Sequence, residues 1–256
     1  MVKKEYPYPG EEGAVKWVST DWLFDHLKDK DLSIIDCQPN VHEYIQDHIP
    51  GAIYLSEGIF RAHGQLPTSW VPPAGVRDTL RTAGVMRDTP KVVYTSRGQL
   101  TTCGAFIGDG LEQTMVAYSL ARYGLNKVYL LDGGWEKWKA EGKPLTRVLP
   151  PARRPSGIDT SHRSEWNITI DEMKSKKDRT DAILLDARPQ KFYEGQGPWI
   201  KPGHIPGAVS LPWVTLMDDN NRMLLKPDDQ IHTILKSHGV TPDKTIITSC
   251  GTGREA

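Results

Sequence analysis

The chain repeats itself, and that duplication constrains the fold more than any other feature of the sequence. Leu32-Ser-Ile-Ile-Asp36 is matched by Ala182-Ile-Leu-Leu-Asp186, each an apolar run ending in aspartate. His48-Ile-Pro-Gly-Ala52 recurs letter for letter as His204-Ile-Pro-Gly-Ala208, followed by the short apolar runs Ile53-Tyr-Leu55 and Val209-Ser-Leu211. Gly84-Val-Met-Arg-Asp88 and Lys91-Val-Val-Tyr-Thr-Ser96 are echoed by Gly239-Val-Thr-Pro-Asp243 and Lys244-Thr-Ile-Ile-Thr-Ser249. Three ordered matches predict two related domains within 256 residues, each large enough to bury a core of its own.

In each copy, short and nearly all-apolar runs alternate with helical patterns such as Ser19 to Leu27 and Thr169 to Met173, both opening on capping residues. Such strands belong in a mainly parallel sheet covered on both faces by helices, so the expected class is α/β. The proline- and arginine-rich stretch around Leu149 to Gly157 has no period, and the repeat starts afresh beyond it. It predicts an N-terminal domain over 15–142, a linker over 143–163 and a C-terminal domain over 164–256.

With 32 basic and 32 acidic residues the chain carries no net charge, which argues against nucleic acid or an anionic membrane as a partner. No apolar run approaches the roughly 20 residues of a membrane span, and the first ten residues lack the apolar core of a signal peptide. The expectation is a cytoplasmic protein. Three cysteines, Cys37, Cys103 and Cys250, make a poor disulfide framework and no metal knuckle, so at least one free thiol is expected, with no metal or cofactor.

Lys244 to Cys250 reads as a buried strand that delivers a cysteine at its carboxyl end, the edge of an α/β sheet where ligands bind. Gly251-Thr-Gly-Arg-Glu255 follows. Two glycines allow a tight loop whose N–H groups point inward as an anion nest; a helix N-terminus beyond it would add positive potential, and Arg254 adds a charge. Such surroundings favour thiolate, the form that attacks sulfur. An isolated cysteine after an apolar strand is usually a core residue, and the glycine-spaced loop is what turns the reading toward chemistry.

The aspartate-ended strand, the His-Ile-Pro-Gly-Ala segment and the downstream strand with its Cys-x-x-Gly loop together resemble the tandem rhodanese sulfurtransferases, from about Val15 to the last residue. The resemblance implies two rhodanese-like domains with the C-terminal one active, Cys250 as nucleophile, and the backbone of Gly251, Thr252, Gly253, Arg254 and Glu255 cradling a persulfide. It also implies that Arg188 and Lys191 help hold a small anionic donor. Aligning the lysine-led strands places Arg97 where the second copy has Cys250, so the first domain lacks the nucleophile. Cys103 reads as a loop residue, Cys37 as a packing residue, and His48, His204, Asp36 and Asp186 as structural ties rather than proton carriers.

The implied reaction moves sulfur from thiosulfate, or from 3-mercaptopyruvate as runner-up, to cyanide or a thiol. A sulfur carrier or binding module without fast turnover stays open. So does a rhodanese-fold phosphatase, although Arg254 stands four positions after Cys250 and Glu255 would repel phosphate. Copy one continues past its loop through Leu111 to Gly124, Lys127 to Asp132 and Gly133 to Trp138, and copy two has no counterpart to these. The second domain is therefore expected to be incomplete in this chain, with a separate C-terminal fragment completing it.

Overall fold

The computed structural model describes residues 4–62, 68–100, 106–151, 155 and 157–256. It divides into two compact units, one of residues 5–164 with 221–224, the other of residues 165–220 and 225–256 with Lys4.

The first unit begins with β1 (Val15–Val18), α1 (Thr20–Asp25), β2 (Ser33–Asp36), α2 (Val41–Gln46) and β3 (Ala52–Tyr54). The short pairs β4 (Arg61–Ala62) with β5 (Ser69–Trp70) and β7 (Gln99–Leu100) with β8 (Phe106–Ile107) flank α3 (Pro73–Thr82) and β6 (Lys91–Tyr94). α4 (Glu112–Arg122), β9 (Val128–Leu131) and α5 (Gly134–Ala140) complete it. Local chemistry sets the helix starts. Ser19 and Asn40 side chains accept the Trp22 and His42 N–H groups, and proline stands at the first position of α3.

The five long strands lie in the order β1-β9-β6-β2-β3, all parallel. Because side chains alternate along a strand, Ile35, Val93 and Leu130 join one core with Leu80, Leu120 and Tyr123, while Ile34, Val92 and Leu131 join another with Leu23, Tyr44 and Trp138. Helices thus cover both faces, as the apolar runs predict. Trp138 is fully buried and its Nε1–H donates to Pro144 O at 2.9 Å. Trp138→Ala is expected to lower the stability of this unit by about 3–5 kcal/mol, read from urea unfolding followed by circular dichroism.

The described part of 143–163, read from sequence as the linker, is anchored to the first unit at several points. Thr146 and His48 exchange two backbone hydrogen bonds of 2.9 Å, and Ile158 is buried in the core beside Leu120. Its prolines and arginines hide these anchors from a reading of periodicity.

The second unit holds α6 (Ile170–Lys176), β10 (Ala182–Asp186), α7 (Gln190–Tyr193), β11 (Val209–Ser210), α8 (Asp228–Ser237) and β12 (Thr245–Ser249). Thr169 and Glu172 close a capping box on α6. The sheet runs β11-β10-β12, again parallel. Ile183, Leu185, Leu211 and Val240 pack on one face; Leu184, Ala208 and Ile247 pack on the other. Among the described residues β12 pairs only with β10, and Ile246 is 51% exposed. Its counterpart β6 lies inside its sheet, between β2 and β9. No helix among the described residues is long and apolar enough to cross a membrane.

Candidate active site

Parallel pairing of β10 with β12 sets Asp186 opposite Ser249, so both strands end together and Cys250 emerges at the carboxyl edge of the sheet. Ala187 N–H donates to Ser249 O at 3.0 Å and fixes the two chain exits side by side. Cys250 is half-buried, and the Gly253 N–H donates to its Sγ at 3.0 Å. Gly253 takes φ +73°, a left-handed conformation that costs glycine little and turns the loop back over the sulfur. The predicted nest is represented by this bond; residues 251–254 form bends, and no helix among the described residues follows Cys250 to add its dipole. Arg254 and Glu255 are half-buried.

Positive charge reaches the site from Arg188. Its Nε and Nη2 donate to Asp186 at 2.9 and 2.6 Å, its backbone N–H donates to Asp186 Oδ1 at 3.1 Å, and Nη2 also donates to Gly203 O at 2.8 Å. Asp186 is 2% exposed. Burial alone would raise its pKa, but the hydrogen bonds and charge of Arg188 outweigh burial and hold it below the usual carboxylate range. Arg188 is raised in turn, chiefly by its bonds to Asp186 against the opposing effect of burial, with smaller contributions from Cys250 and Glu255. That electrostatic link ties Arg188 to the cysteine loop. Lys191 is exposed on α7 with its ammonium 5.1 Å from the Phe192 ring, and no hydrogen bond or ion pair joins it to Asp186 or Cys250.

One neighbour escaped the sequence reading. A Cβ built on Gly251 would lie 2.9 Å from Trp199 Cη2, so the indole rests on the loop, and a side chain at 251 would have to displace it. The only sequence signal was an aromatic residue inside the glycine- and proline-rich run Gly195-Gln-Gly-Pro-Trp-Ile-Lys-Pro-Gly203.

The other candidates serve the scaffold. His204 stacks on Tyr193 with ring centroids 3.6 Å apart and bonds Tyr193 O through Nδ1 at 2.9 Å; His48 stacks on Tyr44 and bonds Tyr44 O at 2.8 Å. Asp36 accepts hydrogen bonds from the backbone and side chain of Gln38, both at 2.9 Å, and from Tyr94 Oη. Cys37 is 1% exposed, and burial pushes its thiol well up. Cys103 lies outside the described residues. No group of three or more histidine, cysteine or carboxylate side chains among the described residues could hold a metal.

Sheet register corrects the residue assigned to the cysteine's place in the first unit. Asp36 pairs with Tyr94 and Asp186 with Ser249, an offset of 155 (249 − 94). Cys37 N–H donates to Tyr94 O just as Ala187 N–H donates to Ser249 O. Thr95, not Arg97, therefore stands where the second unit has Cys250; it is fully buried, and its hydroxyl donates to Cys37 O at 3.3 Å.

The rhodanese-like domain model matches residues 19–141 and again 169–256. The chain is 31% identical over 229 residues to the thiosulfate sulfurtransferase of Azotobacter vinelandii, covering 88% of this chain and 79% of the relative. It is 28% identical over 252 residues to the 3-mercaptopyruvate sulfurtransferase of Escherichia coli K12, covering 93% and 84%. The crystal structure of SseA from Escherichia coli, described as a 3-mercaptopyruvate sulfotransferase with a rhodanese fold, superposes with a TM-score of 0.77 at 27% identity over 93% of this chain and 89% of that one. Two matched segments on two similar parallel sheets leave a single conclusion: the chain belongs to the rhodanese family.

Proposed function

We propose that this chain is a sulfurtransferase that carries a sulfane sulfur on Cys250, from thiosulfate in preference to 3-mercaptopyruvate. The observation that carries the reading is Cys250 Sγ at the sheet's carboxyl edge, accepting the Gly253 N–H and lying within electrostatic reach of Arg188. The Cys250 thiolate attacks the outer sulfur of thiosulfate; the S–S bond breaks and sulfite leaves with the electron pair. The persulfide anion rests in the loop of Gly251, Thr252, Gly253, Arg254 and Glu255, where main-chain donors and the Arg188 charge offset its charge. Cyanide or a thiolate then attacks the outer sulfur, and Cys250 departs as thiolate. No cofactor enters either displacement.

Arg188 is the donor-binding side chain in this reading, since Asp186 and Gly203 fix its head and its Nη1 makes no hydrogen bond with a described residue. Arg188→Lys is expected to raise KM for thiosulfate about tenfold with a smaller change in kcat, because an ammonium cannot hold Asp186 with two prongs and still reach the donor. Steady-state kinetics of both substitutions, Arg188→Lys and Lys191→Ala, separate the two basic candidates. Lys191, outside the hydrogen-bonded set, is expected to change KM by less than about threefold.

The exposed edge of β12 fits a further strand and helix packed there, as β9 and α4 pack beside β6. Cytoplasmic residence fits the reading, since the reaction needs Cys250 as a free thiol and a reducing compartment keeps it so. The whole proposal is tested by mass spectrometry of the Cys250 peptide after exposure to thiosulfate, with sulfite measured in parallel. One added sulfur on that peptide, matched by sulfite, supports it; an unmodified peptide with no sulfite released overturns it.

A further inference from the structure

The first unit keeps the loop without the cysteine, and the surroundings of that loop carry different charges. Ser96, Arg97 and Gly98 stand in register with Gly251, Thr252 and Gly253, and Gly98 shares the left-handed backbone of Gly253, at φ +79° against +73°. In the second unit a loop N–H points at Cys250 Sγ. In the first unit the Arg97 N–H donates instead to Glu136 Oε1 at 2.7 Å, so a carboxylate from α5 already occupies the place of a bound anion.

Beside that plugged loop opens a cavity of about 490 Å³, whose walls include Glu43, Ser96, Arg97, Trp135, Glu136 and Lys139. Its charges are layered. Glu43 and Trp135 are each 9% exposed and form the floor, whereas Arg97 and Lys139 are exposed at the rim. Glu43 Oε2 accepts the Ser96 hydroxyl at 2.6 Å, and Glu43 makes no ion pair with a described residue. Burial raises its pKa against the lowering effect of Ser96, as expected of a carboxylate removed from water without a cation beside it. The indole of Trp135 is held flat by stacking on Tyr94, with ring centroids 6.1 Å apart.

We propose that this cavity binds a small zwitterion of the amino-acid type. Its ammonium would meet Glu43, its carboxylate would meet Arg97 and Lys139 at the rim, and its apolar side chain would lie against Trp135. A simple anion is attracted at the rim but repelled by the carboxylates beneath it, and a simple cation must pass two basic side chains; only a ligand carrying both charges satisfies floor and rim together. The volume is that of an ordinary small-molecule site. Nothing in this assignment depends on Cys250, and the site is separate from the proposed sulfur-transfer loop.

Isothermal titration of the full chain with L-methionine, 3-(methylthio)propylamine and 4-(methylthio)butyrate tests the charge layering, because the three differ only in which charged groups they keep. L-Methionine is expected to bind at least about tenfold more tightly than either analogue. Glu43→Gln, which keeps an acceptor for Ser96, and Arg97→Ala, which removes an exposed side chain, are each expected to weaken it by about tenfold while sulfur loading of Cys250 is unchanged. Absence of L-methionine binding, equal affinity for the three probes, or an unchanged affinity in either variant overturns the assignment.

Discussion

Cys250→Ser is expected to lower sulfite release from thiosulfate by at least about a thousandfold, and the peptide carrying the substitution is expected to gain no sulfur. A hydroxyl at this place is a poor nucleophile toward sulfur, since its ionised form is scarce near neutral pH and no base among the described side chains bonds to position 250. The hydrogen bond from Gly253 accepts an oxygen as readily as a sulfur, so the loop is expected to keep its shape. The loss is therefore chemical. Thermal unfolding within a degree or two of the parent, alongside abolished loading, is the result that separates a missing nucleophile from a disturbed fold. Retained sulfur transfer in this variant would remove Cys250 from the mechanism.

Asp186→Ala is the second large effect, and it acts on stability and activity together. Asp186 is almost fully buried, and its removal leaves the Arg188 guanidinium, 11% exposed, with Gly203 O as its one remaining hydrogen-bond acceptor among the described residues. Breaking one side of such a pair costs about 3–5 kcal/mol. The same change frees Arg188 from its fixed orientation beside the cysteine loop, so kcat/KM for thiosulfate is expected to fall by about a hundredfold or more in the fraction that folds. A variant with parent stability and parent kcat/KM would show that the pair positions nothing.

The two aspartates predict opposite pH behaviour. Asp186 has a lowered pKa, so its contribution to stability is complete above the unfolded carboxylate value and is lost as pH falls through the lowered one. Asp36 sits at the matching place but faces Gln38, which carries no charge. Burial dominates there and, despite hydrogen bonds from Tyr94 and Gln38, raises its pKa to about 6. The folded first unit then holds a proton that the unfolded chain has released, and Asp36 costs stability as pH rises from the ordinary carboxylate range through 6. Carboxyl carbon shifts followed by NMR titration read each group separately, and an Asp36 midpoint below that of Asp186 would contradict the account. Deeper burial of Asp36, together with neutral Gln38 where Asp186 has cationic Arg188, sets the opposite sign.

Much of this was legible before any coordinates. Apolar runs without alternation read as interior parallel strands, because a strand covered on both faces must be apolar on both faces. The duplicated His-Ile-Pro-Gly-Ala segments read as structural turns, and the stacking of His48 on Tyr44 and His204 on Tyr193 agrees. The cysteine at a strand end followed by spaced glycines is visible as pattern, since a left-handed turn such as Gly253 calls for that residue type.

The matching of the two loops was not legible, and the reason is geometric. Counting from Gly84 and Gly239 to the following lysines gives seven residues in one copy and five in the other. The eye aligns Lys91 with Lys244 by letter and arrives at Arg97. Both lysines fold back onto turn carbonyls, Lys91 onto Arg87, Thr89 and Asn126 and Lys244 onto Gly239, so they share a task without sharing a register. A slip of two in a strand returns every side chain to its own face, so the hydrophobic pattern raises no objection. Only pairing with the neighbouring strand fixes which residue stands at the sheet's end, and it chooses Thr95. The same limit applies to Trp199 on Gly251 and to Glu136 on the Arg97 amide, contacts between residues separated by dozens of positions. The sequence by itself determined two α/β halves and a cysteine poised at a strand end, because periodicity and turn chemistry act locally. The tertiary structure alone decided which charges and rings meet each loop, because those depend on register and on chain returning from afar.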